Sequence, residues 1–198
     1  MFKTLYLVRH GQTFFNVRHV IQGWCDSPLT ERGIAQAELA RNWFEANGIT
    51  FDHAYSSSSE RACDTLEIIT RGSLPYERTK GLKEFRYGNL EGCPYDLFVV
   101  SPYASYGDWL VQFGGDDEAT VATRMTSTLV DIMERPDHQS VLAVSHGACI
   151  RCFTSAWDAH NLVHVDTVTK NCSVYTFSYE DGIFSLRDLF EPDDSALN

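Results

Sequence analysis

Two short β-rich runs in this chain end alike. Thr4-Leu5-Tyr6-Leu7-Val8 leads into Arg9-His10-Gly11, and Ser140-Val141-Leu142-Ala143-Val144 leads into Ser145-His146-Gly147. In an open α/β sheet, ligands bind in the crevice outside the carboxyl ends of the strands. Strands distant in sequence can lie side by side, so the two imidazoles point to one site. The glycines, lacking a Cβ, allow a sharp turn or a close approach to a ligand. The pair implies chemistry on an anion.

The rest of the chain alternates strand and helix. A polar segment, Gln12 to Asp26, contains Asn16 and Gln22-Gly23. Pro28-Leu29-Thr30-Glu31 then opens a helix with Thr30 as N-cap, running through Ile34, Leu39, Trp43 and Phe44 to a stop at Asn47-Gly48. Phe51 to Ser56 reads as a strand, and Ser59 to Thr70 as a helix with Ala62, Leu66 and Ile69 on one face. Residues 81–115 are rich in glycine, proline and aromatics, which predicts an ordered lid excursion over the sheet edge. Asp116 to Arg135 predicts an amphipathic helix on Val121, Met125, Leu129, Ile132 and Met133. A helix from Ala148 to about Trp157 follows the second histidine. Cys172 to Tyr179 and Ile183 to Phe190 flank Asp181-Gly182, a strong hairpin signal. The expected fold is a three-layer α/β/α domain over 1–198, with a mainly parallel central sheet and a lid at 81–115.

With 198 residues and 43% hydrophobic content, one globular core is sustainable. No apolar run approaches the roughly 20 residues of a membrane span. Met1-Phe2-Lys3-Thr4 leads straight into a strand with no signal-peptide pattern, so a cytoplasmic location is expected. The net charge of −11 argues against a nucleic-acid or anionic-membrane binder. It leaves room for an anionic small molecule, because a local arginine cluster can dominate a cleft. The acidic stretch Glu191-Pro192-Asp193-Asp194 reads as solvated. Cys149 and Cys152 have the redox C-x-x-C spacing, but small buried residues on a sheet-facing helix are the simpler reading. His19, His53, His138, His160 and His164 receive no role, and solvent exposure is their default. An exposed edge at the terminal hairpin can pair with another copy, which leaves a homodimer open.

The charges near the crevice suggest a phosphate cradle. Arg9 adjoins His10, and Arg61 follows the serines of Tyr55-Ser56-Ser57-Ser58-Ser59, where a strand gives way to a helix. Guanidiniums converging with a helix N-terminus hold phosphate by bidentate hydrogen bonds and dipole attraction. Histidine can serve as nucleophile toward the phosphoryl group. Its leaving oxygen needs a proton donor. Glu84 is the best carboxylate candidate and Glu91 the second. Ser57 can donate to phosphate or serve as a cap. No His/Cys/Asp cluster has convincing metal-ligand spacing, and no metal or cofactor is expected.

Five blocks now carry a resemblance: Leu7 to Asn16, Gln22 to Gly33, Tyr55-Ser56-Ser57 with Arg61-Ala62 and Thr65, Leu82-Lys83-Glu84 with Gly88 and Glu91-Gly92, and Ser145-His146-Gly147. In this order they resemble the histidine phosphatase superfamily, in its phosphoglycerate-mutase-like branch. The resemblance implies that His10 becomes phosphohistidine, while Arg9, Arg61 and His146 bind the transferring group. It implies Glu84 as general acid and then base, with Asn16, Gln22, Gly23 and Tyr87 lining the substrate pocket. Mutases of this family carry Glu-Arg-His-Tyr-Gly where this chain has Glu84-Phe85-Arg86-Tyr87-Gly88. Phe85 removes a carboxylate contact that Arg86 would have to replace. From Glu91 to Ala119 there is no Lys or Arg to grip phosphoglycerate, Asp116 stands in place of the family's Glu, and the chain is shorter than typical mutases. These departures favour metal-independent phosphomonoester hydrolysis, and the aromatic lid favours a less anionic or partly apolar leaving group. A cofactor-dependent phosphoglycerate mutase and a catalytically silent phospholigand-binding protein are the alternatives.

Overall fold

The computed structural model describes residues 3–97, 106–165 and 169–197. Phe98, Pro102 and Tyr103 of the expected lid lie outside the described residues. The strands are β1 (Lys3–Arg9), β2 (His53–Ser57), β3 (Tyr76–Thr79), β4 (Ser140–Ser145), β5 (Val174–Glu180) and β6 (Ile183–Phe190). They form one six-stranded sheet in the order β3-β2-β4-β1-β5-β6. The first four in that order pair in parallel, and β5 and β6 join antiparallel. The helices are α1 (Phe14–Val17), α2 (Glu31–Ala46), α3 (Glu60–Thr70), α4 (Glu118–Met133) and α5 (Gly147–Ala156).

Alternation along the strands feeds two cores. Leu5, Leu7, Val141 and Ala143 pack with Val121, Met125 and Leu129 of α4 and Ile150 and Phe153 of α5. Val8, Leu142 and Val144 pack on the other face with Ala37, Ala40 and Phe44 of α2 and Ala62, Leu66 and Ile69 of α3. This is the expected three-layer architecture. The buried face of α2 is mostly small, while Ile34 is exposed. Gly33 explains the close approach, because a Cβ there would come within 2.1 Å of the Gln12 carbonyl oxygen. That contact seats α2 directly on the loop after His10.

The hairpin turn has positive φ at both Asp181 and Gly182, the pattern of a two-residue type I′ turn. Strand β3 has no counterpart in the sequence reading. Its four residues, Tyr-Glu-Arg-Thr, are none of them buried, and charged residues on a short edge strand blunt unwanted pairing. Among the described residues, no helix is long and apolar enough to cross a membrane.

The stretch after β6 is docked rather than solvated. The Asp194 side chain is 13% exposed and pairs with Arg32 at 3.0 Å. One of the histidines also departs from its default. His138 is buried, bonds the Tyr55 hydroxyl at 2.7 Å and stacks on His53. His19 is exposed but lines the cavity described below.

Candidate active site

The register of β1 and β4 builds the site. Val8 pairs with Val144 and Arg9 with Ser145, so the next residues, His10 and His146, emerge side by side. Their ring centroids lie 5.2 Å apart. His10 Nδ1 is 2.7 Å from the Gly11 carbonyl oxygen. A carbonyl only accepts, so Nδ1 carries the proton and Nε2 keeps its lone pair. The loop backbone is fixed from two sides: Gly11 N–H donates to Thr65 Oγ1 at 3.0 Å, and Asn171 Nδ2 donates to the His10 carbonyl at 2.9 Å.

His146 is fully buried, with Nε2 2.7 Å from Ser57 Oγ. Ser57 therefore positions an imidazole here, while the cap of α3 falls to Ser59. Arg61 is fully buried and donates to the carbonyls of Gly23 (2.9 Å) and Cys25 (3.1 Å) and to Asp26 Oδ1 (2.8 Å). Much of its hydrogen-bonding capacity braces the 23–26 loop. Arg9 donates to the Thr169 carbonyl. A Cβ on Gly147 would lie 3.2 Å from Arg9 Nε, so this glycine lets the guanidinium approach the start of α5. The buried Arg9 Nε, Arg61 Nε and His146 Nδ1 have no hydrogen-bond partner among the described residues. Buried polar atoms are nearly always paired, so these three nitrogens hold unused hydrogen-bonding capacity close to His10.

Burial first, then the Arg61 and Arg9 guanidiniums, hold His10 well below the usual histidine range, against the opposing Gly11 hydrogen bond. Burial, Arg61 and His10 do the same to His146. A neutral His10 is the nucleophilic form. The unfolded chain takes up protons at these histidines below about pH 6.5 while the folded chain does not. Stability is therefore full above that pH and declines below it, by about 1.4 kcal/mol per pH unit for each histidine where the two states differ by a proton. Urea midpoints between pH 5 and 8 check this. The acid-side decline should be shallower in His146→Asn; an equal slope would assign it to other groups.

Glu84 sits 6% exposed beside the start of α5. Its carboxylate accepts from the backbone N–H of Phe85, Ala148 and Cys149, each at 2.9 Å. Arg124 clamps the turn that presents it, donating to the carbonyls of Gly81 (2.8 Å) and Lys83 (2.7 Å). Glu91, the second carboxylate candidate, is a loop clamp instead. It accepts from the N–H groups of Gly23, Trp24, Cys25 and Tyr87. Burial opposes its charge, but the hydrogen bonds from Cys25 and Trp24 prevail and hold it below the usual carboxylate range.

A cavity of about 280 Å³ opens onto Arg9, His10, Glu84, Asn16, Gln22 and Tyr87. Arg61, His146 and Gly23 are not among its lining residues. Asn16 and Gln22 also hold the loop: Asn16 Oδ1 accepts from Thr13 N–H at 3.0 Å, and Gln22 Oε1 accepts from Thr13 Oγ1 at 2.7 Å. Gly23 lies behind them, where a Cβ would come within 2.2 Å of the Phe85 carbonyl oxygen. Tyr95 and Tyr106 of the expected aromatic lid stand in the cavity wall, and so does Arg151, which the sequence reading missed. The signal for Arg151 was present: Gly147, Arg151, Thr154 and Ser155 recur at helical spacing and face the cavity together. Cys149 and Cys152, flanking it, are buried free thiols. Arg86 does not replace the missing arginine. It pairs with Asp116 at 3.3 Å and does not line the cavity.

His53, Asp137 and His138 cluster among the β2–β4 residues at the other end of the strands, a proximity their spacing did not reveal. The two imidazoles stack at 3.7 Å and 8°, so their in-plane lone pairs run parallel rather than converging on one ion.

Removing Arg61 should cost both fold and turnover. Arg61→Met leaves two carbonyls unpaired and takes the ion-pair partner from Asp26, a loss of about 3 kcal/mol, at the low end of the buried-pair range because Asp26 keeps some solvent and the N–H groups of Ser27 and Glu60. Turnover should fall roughly 10²–10³-fold, the usual effect of losing one transition-state donor. Urea unfolding and initial rates test the two effects separately.

The family model for the histidine phosphatase superfamily (branch 1) matches residues 5–192. The chain belongs to this superfamily. The 2,3-bisphosphoglycerate-dependent phosphoglycerate mutase of Bartonella quintana (strain Toulouse) is 31% identical over 97% of this chain and 100% of its own length. Its full-length match removes the argument that this chain is too short for a mutase. A probable phosphoglycerate mutase, GpmB, of Yersinia pestis (strain Pestoides F) is 32% identical over 89% of this chain and 85% of its own. Among solved structures, phosphoglycerate mutase from Bacillus anthracis str. Sterne superposes with a TM-score of 0.81 at 26% identity, covering 94% of this chain and 92% of that one. Phosphoserine phosphatase of Entamoeba histolytica, in complex with 3-phosphoglyceric acid, has a TM-score of 0.76 at 26% identity, covering 96% and 98%. The superfamily relatives thus include both mutases and phosphatases.

Proposed function

We propose that this chain is a metal-independent phosphomonoesterase acting through phosphohistidine on His10. The carrying observation is the proton placement on His10, with Nδ1 bonded to the Gly11 carbonyl and Nε2 left to attack. In the first step the Nε2–P bond forms as the P–O ester bond breaks. Glu84 gives its proton to the leaving oxygen. In the second, water attacks phosphorus, its proton passes to the Glu84 carboxylate, and the N–P bond breaks to release inorganic phosphate. Arg9, Arg61 and His146 serve the charge spread over the phosphoryl oxygens, since phosphoryl transfer depends on positioning and electrostatics. Asn16, Gln22 and Tyr87 line the substrate pocket, with Gly23 shaping its wall from behind.

Hydrolysis is favoured over mutase chemistry by the far wall of the cavity. Tyr87, Tyr95 and Tyr106 contribute there, Phe85 is buried, and Arg86 is drawn to Asp116. Arg151 supplies positive charge, but Glu118 pairs with it at 3.3 Å. Such a wall suits a leaving group of modest charge. The mutase reading is favoured by the Bartonella relative, matched over its whole length. In that reading phosphohistidine returns its phosphoryl group to a sugar-acid hydroxyl rather than to water.

Phosphate release from a panel of phosphomonoesters in EDTA, beside 3-phosphoglycerate isomerisation with and without 2,3-bisphosphoglycerate, decides between them. Hydrolysis should dominate. Isomerisation far exceeding hydrolysis would assign a mutase, and silence in both assays would favour a phospholigand-binding protein.

A further inference from the structure

We infer that Asp194 is a positioning residue for the nucleophile loop, acting through Gln36. The inference rests on His10 as nucleophile. Gln36 is 3% exposed and spans two partners. Its Nε2 donates to Asp194 Oδ2 at 2.7 Å, and its Oε1 accepts from the Gln12 N–H at 3.0 Å. A carboxylate only accepts, so Asp194 dictates which end of the Gln36 amide faces the loop. With the amide reversed, an NH₂ group would confront the Gln12 N–H, two residues beyond His10.

Asp194 is itself held from two elements. Arg32 of α2 pairs with it at 3.0 Å and also donates to the carbonyls of Asp194 (2.9 Å) and Leu197 (2.6 Å). Lys170 Nζ lies 3.8 Å from Asp194 Oδ1, and the Lys170 N–H donates to Glu191 Oε1 at 2.9 Å. Residues beside Lys170 touch the site: Asn171 bonds the His10 carbonyl, and Thr169 accepts from Arg9. The segment Glu191–Leu197 is thus a strap joining α2 to the 169–173 segment across the loop bearing Arg9 and His10. A nucleophile displaced by about 1 Å can cost as much as 10²-fold in rate, so a support of this kind affects turnover without touching substrate.

The test is steady-state kinetics of Asp194→Ala, Asp194→Asn, Gln36→Met and the Asp194→Ala/Gln36→Met double variant. ¹H–¹⁵N spectra of the His10 imidazole, assigned with His10→Ala, accompany them. Asp194→Ala and Gln36→Met should each lower kcat at least five-fold with KM within two-fold, and the double variant should be no slower than the worse single. Asp194→Asn still offers an oxygen to Gln36 and should recover most of kcat. The His10 signals should shift in Asp194→Ala and return in Asp194→Asn. Unchanged kcat and unchanged His10 signals in a folded Asp194→Ala would overturn the inference, as would additive losses in the double variant. If Asp194→Ala does not fold, Gln36→Met and Asp194→Asn carry the same comparison. A wild type that hydrolyses nothing would defeat the functional reading, and the His10 spectra would still decide the strap.

Discussion

His10→Ala should abolish turnover while leaving the fold in place. Its side chain makes one local hydrogen bond, to its neighbour's carbonyl, and the backbone of the loop is held by Thr65 and Asn171. The variant should therefore unfold within about 1–2 kcal/mol of wild type, since a neutral hydrogen bond is worth roughly 1 kcal/mol. Of the two imidazoles that line the cavity among the described residues, His10 is the buried one beside Arg9, and His19 is exposed. Loss of a catalytic nucleophile has cost on the order of 10⁶-fold in a serine protease, and a fall of at least roughly 10⁴-fold is expected here. Rapid-quench labelling with a ³²P-monoester should trap acid-labile phosphoprotein in wild type and none in His10→Ala. Label persisting in the variant would move the nucleophile elsewhere.

Glu84→Gln should produce a loss that depends on the leaving group. General acid catalysis contributes roughly 10²–10⁴-fold, and only a leaving oxygen that departs as a poor anion needs the proton. Alkyl phosphates should lose most of that range, whereas a nitrophenyl phosphate should be slowed far less in the first step. Its second step still lacks the base that activates water, so a burst of nitrophenol followed by slow turnover is expected. Equal losses for both leaving groups would reduce Glu84 to a structural brace of α5. The amide can keep its oxygen for the Phe85 and Cys149 N–H groups, which share Oε1, but then turns its NH₂ toward the Ala148 N–H. Thermal unfolding beside the kinetics separates that local conflict from lost proton transfer.

The sequence by itself determined the alternation of strand and helix apart from the short edge strand β3, both His-Gly strand ends, and Arg9 beside His10 at the crevice. Those features are local: an apolar run is bounded by glycine, and Thr30 caps the helix that follows it. The α/β/α layering followed from the same periodicity. Only the tertiary structure decided which carboxylate faces the cavity. Glu84 and Glu91 look alike in sequence, yet one meets the N-terminus of α5 and the other clamps four N–H groups, three of them in the 23–25 loop. It also decided that Arg86 leaves the cavity for Asp116, that Arg151 enters it, and that Asp194 anchors a strap rather than lying in solvent. Those outcomes depend on partners 30 to 160 residues away, and no local propensity encodes a partner that only folding brings within hydrogen-bond reach.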